Sequence, residues 1–219
     1  MKLQIIQKNI NDTDYQKYLQ KAANNSVDMV CLGELSTSGC LYNGGDVDDL
    51  DKIVKVLSGY NFSIFLGFPL HKKGRLYNAY IYYKNGHYKI YRKINLFEPM
   101  NEPKIYQPGK EPGIIETEFG IFGVAICYDL RFPELFKELK QQGAEKIIVP
   151  AAFPRVRISD WRELLVRRAK ENRVPVIGIN AVGNDGVNEF GGSSMAVDSN
   201  GKIIVQADEI NEGIIEVDL

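Results

Sequence analysis

A cysteine, a glutamate and a lysine each stand where an apolar run of this chain gives way to polar residues. Cys127 ends the run GVAIC, and the polar turn YDLRFP follows, with a helical pattern opening at Glu134. A strand that delivers a residue into the turn before a helix is where open α/β layers collect their chemistry. The N–H groups of such a turn can stabilise a thiolate or an oxyanion. Glu34 lies just past the run MVCLG, in LGELSTSG, and Lys93 ends the β-rich segment YKIYRKINLF. Taken singly, each has a plainer reading. A cysteine in an apolar run is usually a small buried hydrophobe, and a lone Glu or Lys is usually a solvated or paired charge. Three such strand ends converging on one rim of a layered fold would bring a thiol, a carboxylate and an ammonium together.

The elements that must position them alternate along the chain. KLQIIQ reads as a strand. Asn11 and Asp12 are candidate caps for a helix running to about Asn24. DMVCLG is a strand. Val47, Leu50, Ile53 and Val56 fall at helical spacing within Asp46–Val56. FSIFLGFP is a strand, and RLYNAYIYYKNGHYKIYRK is a hairpin turning at Asn85–Gly86. IFGVAIC leads into the cysteine turn, and PELFKELKQQG reads as a helix ending near Gly143. EKIIVPAAF is a strand, and Trp161, Leu164, Leu165 and Arg168 share a face of the next helix. VPVIGIN is a strand, SSMAVDSNGKIIVQAD a hairpin turning at Asn200–Gly201, and EGIIEVD closes a sheet. Two β-rich layers with helices outside them would satisfy this order. No internal repeat or low-complexity segment is visible.

Bulk properties narrow the function. The 219 residues carry a net charge of −1, so no global field draws the chain to nucleic acid or an anionic membrane. Hydrophobic residues make up 44% of the chain, enough for a substantial core. No linker divides the chain, and residues 1–219 are expected to form one domain. No apolar run is long enough to span a bilayer, and MKLQIIQKNI is too short and polar for a signal peptide. Cys31, Cys40 and Cys127 lack paired spacing, which suits free thiols in a cytoplasmic protein. With only His71 and His87 and no CxxC, a His/Cys zinc site is not indicated. Both histidines sit in turn-like segments, which disfavours a papain-like Cys/His pair. EFGGSS lacks the lysine of a phosphate-binding loop. The arginines of RVRISDWRELLVRRAKENR alternate with apolar residues, as on a solvated amphipathic helix.

The ordered blocks GELSTSG, LGFP, YRKINLF, EPKIYQPG, CYDLRFPEL, WRELLVRRAKENRVPVIGIN and GGSSMAVDSNGKII resemble the nitrilase superfamily, the carbon–nitrogen hydrolases, over nearly the whole chain. The resemblance implies a four-layer αββα sandwich (α+β or α/β in class) built as a pseudo-repeat of two halves. It implies that Glu34, Lys93 and Cys127 form a Glu–Lys–Cys triad. Glu102, in NEPKIYQPG, falls where the family has a second active-site glutamate, with Glu98 a weaker candidate. It also implies a homodimer or larger oligomer, pairing through PELFKELKQQ and WRELLVRRAKEN, with Leu135, Phe136, Leu139, Leu164 and Leu165 as candidate contacts. Two departures stand out. The chain is shorter than most members, stopping at EGIIEVDL, and Asn95 stands where the family often has histidine.

In such a site Cys127 would attack the amide carbon and form a thioester, which splits one difficult hydrolysis into two easier steps. Glu34 would take the thiol proton, protonate the departing ammonia and later activate water. Lys93 and the backbone N–H of Tyr128 would hold the oxyanion. Glu102 would orient Lys93 or assist proton transfer. No cofactor or metal is needed. True nitrilases usually carry tryptophan and glutamate after the cysteine, where this chain has Tyr128 and Asp129. CYDLRFPE looks more like the branch that hydrolyses small ω-amides of dicarboxylic acids. Such a substrate needs a cation for its distal carboxylate, and Arg155 and Arg157 are candidates, with Arg131 expected to pair locally with Glu134. The competing readings are an N-carbamoyl hydrolase or nitrilase of the same family, or a catalytically silent binding member of the fold.

Overall fold

The computed structural model describes residues 1–40 and 49–219. The first half runs β1 (Lys2–Gln7), α1 (Gln16–Ala23), β2 (Met29–Cys31), α2 (Leu50–Leu57), β3 (Ser63–Lys72), β4 (Arg75–Lys84) and β5 (His87–Arg92). A short helix α3 (Glu102–Ile105) and β6 (Gly113–Thr117) bridge to the second half. That half runs β7 (Gly120–Val124), α4 (Pro133–Gln141), β8 (Lys146–Pro150), α5 (Ile158–Asn172) and β9 (Val176–Ile179). It continues through β10 (Val182–Asn184), β11 (Glu189–Gly191), β12 (Met195–Val197), β13 (Ile203–Gln206) and β14 (Gly213–Asp218).

Two six-stranded sheets form, in the orders β14-β1-β2-β3-β4-β5 and β13-β12-β9-β8-β7-β6. β1, β2 and β3 are parallel and β4 and β5 return antiparallel. β7, β8 and β9 repeat the parallel run, and β12 and β13 the antiparallel return. The expected two-half architecture is therefore present in strand direction, although the sequence shows no repeat. β14 crosses back to pair antiparallel with β1, so the C-terminal strand completes the first sheet rather than the second.

Alternation along the strands builds the layers. Ile6, Val30, Ile64 and Leu66 face α1 and α2, where Tyr18, Leu19, Ile53 and Leu57 meet them. Ile5, Met29, Cys31, Phe65 and Tyr80 face the other way, onto Phe122, Val124, Ile148 and Ile177 of the second sheet. The outer face of that sheet packs Ile147, Val149 and Val176 against Phe136, Leu139, Trp161 and Leu165. The order is helix, sheet, sheet, helix, an αββα sandwich. Leu135, Phe136, Leu139 and Leu165 are buried in this core, and Leu164 is partly buried against it.

One helix start differs from expectation. α1 begins at Gln16, not after Asn11 or Asp12. Asp12 is drawn off by Tyr18 Oη at 2.8 Å and Lys17 Nζ at 2.6 Å, and it closes a local turn onto the Asp14 N–H. α2 begins at Leu50, with Asp49 accepting from the Asp51 N–H at its N-cap. The proposed start at Asp46 and Val47 lies outside the described residues.

Candidate active site

Each candidate residue sits on backbone held in an unusual way. Glu34 follows β2, and Leu35 after it has φ of 46°. Gly67 on β3 makes room: a Cβ there would lie 2.3 Å from the Gly33 carbonyl and 2.9 Å from the Glu34 Cα. Cys127 itself is left-handed, with φ of 47°, a conformation that costs energy outside glycine and clusters at functional sites. Asn101, with φ of 55°, precedes Glu102 in the first turn of α3. Lys93 follows β5, with its N–H on the Asn78 carbonyl and its own carbonyl accepting from the Gly109 N–H. Gly109 permits that approach, since a Cβ there would sit 2.1 Å from the Arg92 carbonyl.

The side chains meet in one buried network. Lys93 Nζ lies 3.0 Å from Glu34 Oε1 and 2.9 Å from both Glu102 oxygens. Asn78 Nδ2 donates to Glu34 Oε1 at 2.7 Å and to Glu102 Oε1 at 2.8 Å. The Ala152 N–H holds Glu34 Oε2 at 2.8 Å, and the Phe97 N–H holds Glu102 Oε2 at 2.6 Å. Cys127 Sγ directs its proton at the Ala152 carbonyl, 3.9 Å away. One residue thus anchors the base candidate through its N–H and the thiol through its C=O. The turn carrying Cys127 is tied down by Asp129, which is fully buried. Asp129 accepts from the Ile126 N–H (2.9 Å), Tyr91 Oη (2.7 Å), the Asn95 N–H (2.9 Å) and Asn95 Nδ2 (2.8 Å). Asn95 is therefore well packed in its place near the lysine.

Charge follows from this geometry. Burial alone would lower the Lys93 ammonium, but the Glu34 and Glu102 carboxylates outweigh it and hold it well above the usual lysine value. Burial raises the Cys127 thiol well above its ordinary value; Glu34 adds to this and Lys93 opposes it. A neutral thiol beside two carboxylates and one ammonium leaves the site one charge negative, and ionising the sulfur would add another. The resting sulfur is thus favoured as a thiol over a thiolate. Burial also raises Asp129, against the donors that converge on it.

The network opens into a cleft of about 590 Å³ lined by Glu34, Lys93, Glu102, Cys127 and Ala152 at its polar end. Leu35, Phe97, Pro99, Met100 and Ile105 supply apolar wall. Arg157 and Arg131 line it as well. Arg155 does not: it turns to Glu189 at 2.6 Å, because its place on the Arg155–Arg157 turn faces the β10–β11 hairpin. Arg131 pairs with Asp160 at 2.9 Å rather than with Glu134, and Arg157 reaches the same carboxylate at 3.5 Å. Glu98 is exposed and does not join the lysine, so Glu102 is the second glutamate of the network. The Tyr128 residue lines the cleft beside Cys127. Asn78 and Ala152 were missed from the sequence because each acts across the fold, 44 and 118 residues from Glu34. Asp129 was visible in CYDLRF, but nothing local marked it as buried.

The carbon-nitrogen hydrolase family model matches residues 8–219, and the chain belongs to that family. The 2-oxoglutaramate amidase of Bacillus subtilis is 32% identical over 206 residues, covering 88% of this chain and 78% of the relative. The deaminated glutathione amidase of Dictyostelium discoideum is 29% identical over an alignment of 251 positions, covering 99% and 86%. Among solved structures, Nit3 of Saccharomyces cerevisiae, from branch 10 of the nitrilase superfamily, superposes with a TM-score of 0.88 at 27% identity, covering 99% of this chain and 89% of its own. Among the described residues no helix is long and apolar enough to cross a membrane.

Proposed function

We propose that this chain hydrolyses small linear amides through a thioester on Cys127, with ω-amides of dicarboxylic acids as the favoured substrates. The observation that carries the reading is Lys93, buried between Glu34 and Glu102 in the cleft that holds the Cys127 thiol. In the first half-reaction Glu34 takes the thiol proton as sulfur bonds to the amide carbon. The carbonyl π electrons move onto oxygen, and Lys93 with the Tyr128 N–H holds that oxyanion. Glu34 returns the proton to nitrogen, the C–N bond breaks and ammonia leaves. Water then attacks the thioester as Glu34 takes its proton, the C–S bond breaks, and the proton returns to sulfur. The sum is amide plus water to carboxylic acid plus ammonia. Glu102 keeps Lys93 charged and aimed.

Two facts favour a substrate with a distal carboxylate. The relatives include a 2-oxoglutaramate amidase. Arg131 and Arg157 stand in the cleft wall, and both lean on a single counter-ion, Asp160, so an incoming carboxylate would meet incompletely neutralised cations. An ammonia-release panel of ω-amides, neutral amides, N-carbamoyl compounds and nitriles tests the reading by specificity constant. Preference for nitriles or N-carbamoyl compounds would move the chain to another branch of the family. No ammonia from any of them would favour a silent binding member of the fold. A homodimer and a cytoplasmic location are part of this proposal. The dimer would use polar outer faces of α4 and α5, since their apolar faces are spent on the core.

A further inference from the structure

Among the described residues, Arg131 and Arg157 of the cleft wall have one carboxylate between them, that of Asp160. Both reach the same oxygen, Oδ2, at 2.9 and 3.5 Å, and Asp160 itself does not line the cleft. The neighbouring cation is treated differently: Arg155, on the same turn as Arg157, pairs one to one with Glu189. Two cations on one anion leave the trio one charge positive. Arg131 uses one of its five N–H donors on Asp160. Its side chain is 31% exposed and that of Arg157 62%, so an anion in the cleft can reach both. Arg131 also closes the turn Cys127–Arg131, which puts this cation on the segment that carries the thiol.

Asp160 stays charged at any working pH, because the Arg131 hydrogen bond, helped by Arg157, holds it below the usual carboxylate value. Its place in the first turn of α5 also suits an anion. An anionic group bound by the two arginines therefore enters beside a fixed negative charge. The aim of Arg131 does not rest on Asp160 alone, since its guanidinium carbon lies 5.6 Å over the Phe153 ring. Arg157 meets Asp160 at 3.5 Å, the outer limit of a hydrogen bond, so little is lost when that contact goes. We propose that Asp160 is a specificity-determining residue, an internal counter-ion that competes with the distal anionic group of a substrate for Arg131 and Arg157. It acts through the arginines and touches no reacting atom. This role rests on the anionic-substrate reading above and gives it a sign: Asp160 restrains the binding of anionic amides, and its removal tightens it.

The test is Asp160→Asn, which keeps the shape and removes the charge. Glutaramate and pentanamide share a chain length and differ in the distal carboxylate. Their ratio of specificity constants should rise about three- to tenfold over wild type, the effect of removing one unit charge from beside a partly exposed anion. The rise should come chiefly through a lower KM for glutaramate. Calorimetric titration of the resting enzyme with glutarate should show the same gain in affinity without any turnover. Adding Arg131→Ala and Arg157→Ala to Asp160→Asn should erase the gain, and a gain that survives them would overturn the proposal. Unchanged or weaker glutarate binding would overturn it, and so would an unchanged or lower ratio where the amides are turned over. A uniform loss on both amides leaves the ratio unchanged and counts against it in the same way. A wild-type ratio near one would undo the carboxylate preference, and no turnover of either amide would undo the amide reading. In both cases the glutarate titration still decides the role of Asp160.

Discussion

Asn78 offers the sharpest test of how the acidic pair is held. Its amide nitrogen donates 2.7 and 2.8 Å bonds to Glu34 and Glu102, and its carbonyl Oδ1 is buried without a partner among the described residues. Hydrogen bonds to charged groups contribute about 1.5–3 kcal/mol each, so deleting the amide removes roughly 3–6 kcal/mol of interaction. Removing the unpaired Oδ1 relieves about 1–3 kcal/mol, and the mid-range values of the two effects leave a net loss of about 2–3 kcal/mol for Asn78→Ala. At 2–4 °C per kcal/mol for a chain of this size, Tm should fall by about 4–12 °C. Turnover should fall by about ten- to a hundred-fold, because Glu34 would lose one of its fixed contacts.

Asn78→Asp separates charge from packing. It puts a third carboxyl group against Glu34 and Glu102, so the new acid is held protonated well above its unfolded value. Its folded form is then least penalised at low pH, and the penalty grows as pH rises through the folded pKa. Profiles of kcat/KM and of urea midpoint between pH 5 and 9 should therefore decline toward alkaline pH relative to wild type. Asn78→Ala should be lower across the whole range without that slope. Wild-type Tm and rate in Asn78→Ala, or an unshifted profile in Asn78→Asp, would refute the claim that this amide holds the two glutamates.

Other outcomes follow from the same geometry. Intact mass spectrometry with a slow amide should show an adduct on Cys127 and none on Cys31 or Cys40, and Cys127→Ala should abolish it. Alkylation of resting Cys127 should still be accelerating above pH 9, because its thiol is raised, and Glu34→Gln should move that curve to lower pH by removing a neighbouring negative charge. Glu34→Gln should cost about 10²–10⁴ in turnover, and Lys93→Met should add about 3–5 kcal/mol of destabilisation, because it strands two carboxylates. Arg131→Ala and Arg157→Ala should reduce the preference for carboxylate-bearing amides, whereas Arg155→Ala should not, because Arg155 is outside the cleft. Light scattering at micromolar concentration should exceed the 24.7 kDa monomer mass, and a monomer would reject the dimer.

What could be read from the sequence was local. Period-two alternation in KLQIIQ and the Asn85–Gly86 turn gave strands and a hairpin, because those patterns act over a few residues. Both turn residues have positive φ, as a two-residue hairpin of this kind requires. Cys127, Glu34 and Lys93 were visible because each ends a strand. Long-range partners were not visible. Nothing in AAFP tells that the Ala152 N–H reaches Glu34, and nothing in YNAY tells that Asn78 bridges two carboxylates. Which of the two candidate arginines reaches the cleft was hidden for the same reason. Arg155 and Arg157 are two residues apart on one turn, and only the packing of the β10–β11 hairpin sends the first to Glu189 while the second stays in the cleft wall.

The paired halves explain why the Cys127 thiol and the Glu34 carboxylate line one cleft. β2 and β8 are the central parallel strands of their sheets, each flanked by the other two parallel strands of its half. Face-to-face packing brings their ends together, and the contact made there is the Ala152 N–H on Glu34. The division of labour is unequal. The first sheet, with the segment that follows it, supplies Glu34, Asn78, Lys93 and Glu102; the second supplies Cys127 and Ala152. The separation of thiol from base is thus set by the interior layer of Phe65, Tyr80, Phe122 and Ile148 rather than by any one loop. A close-packed interior resists compression and slippage. It can therefore hold a left-handed cysteine and two carboxylates sharing one lysine in register across two sheets, which a surface loop on either sheet alone could not do.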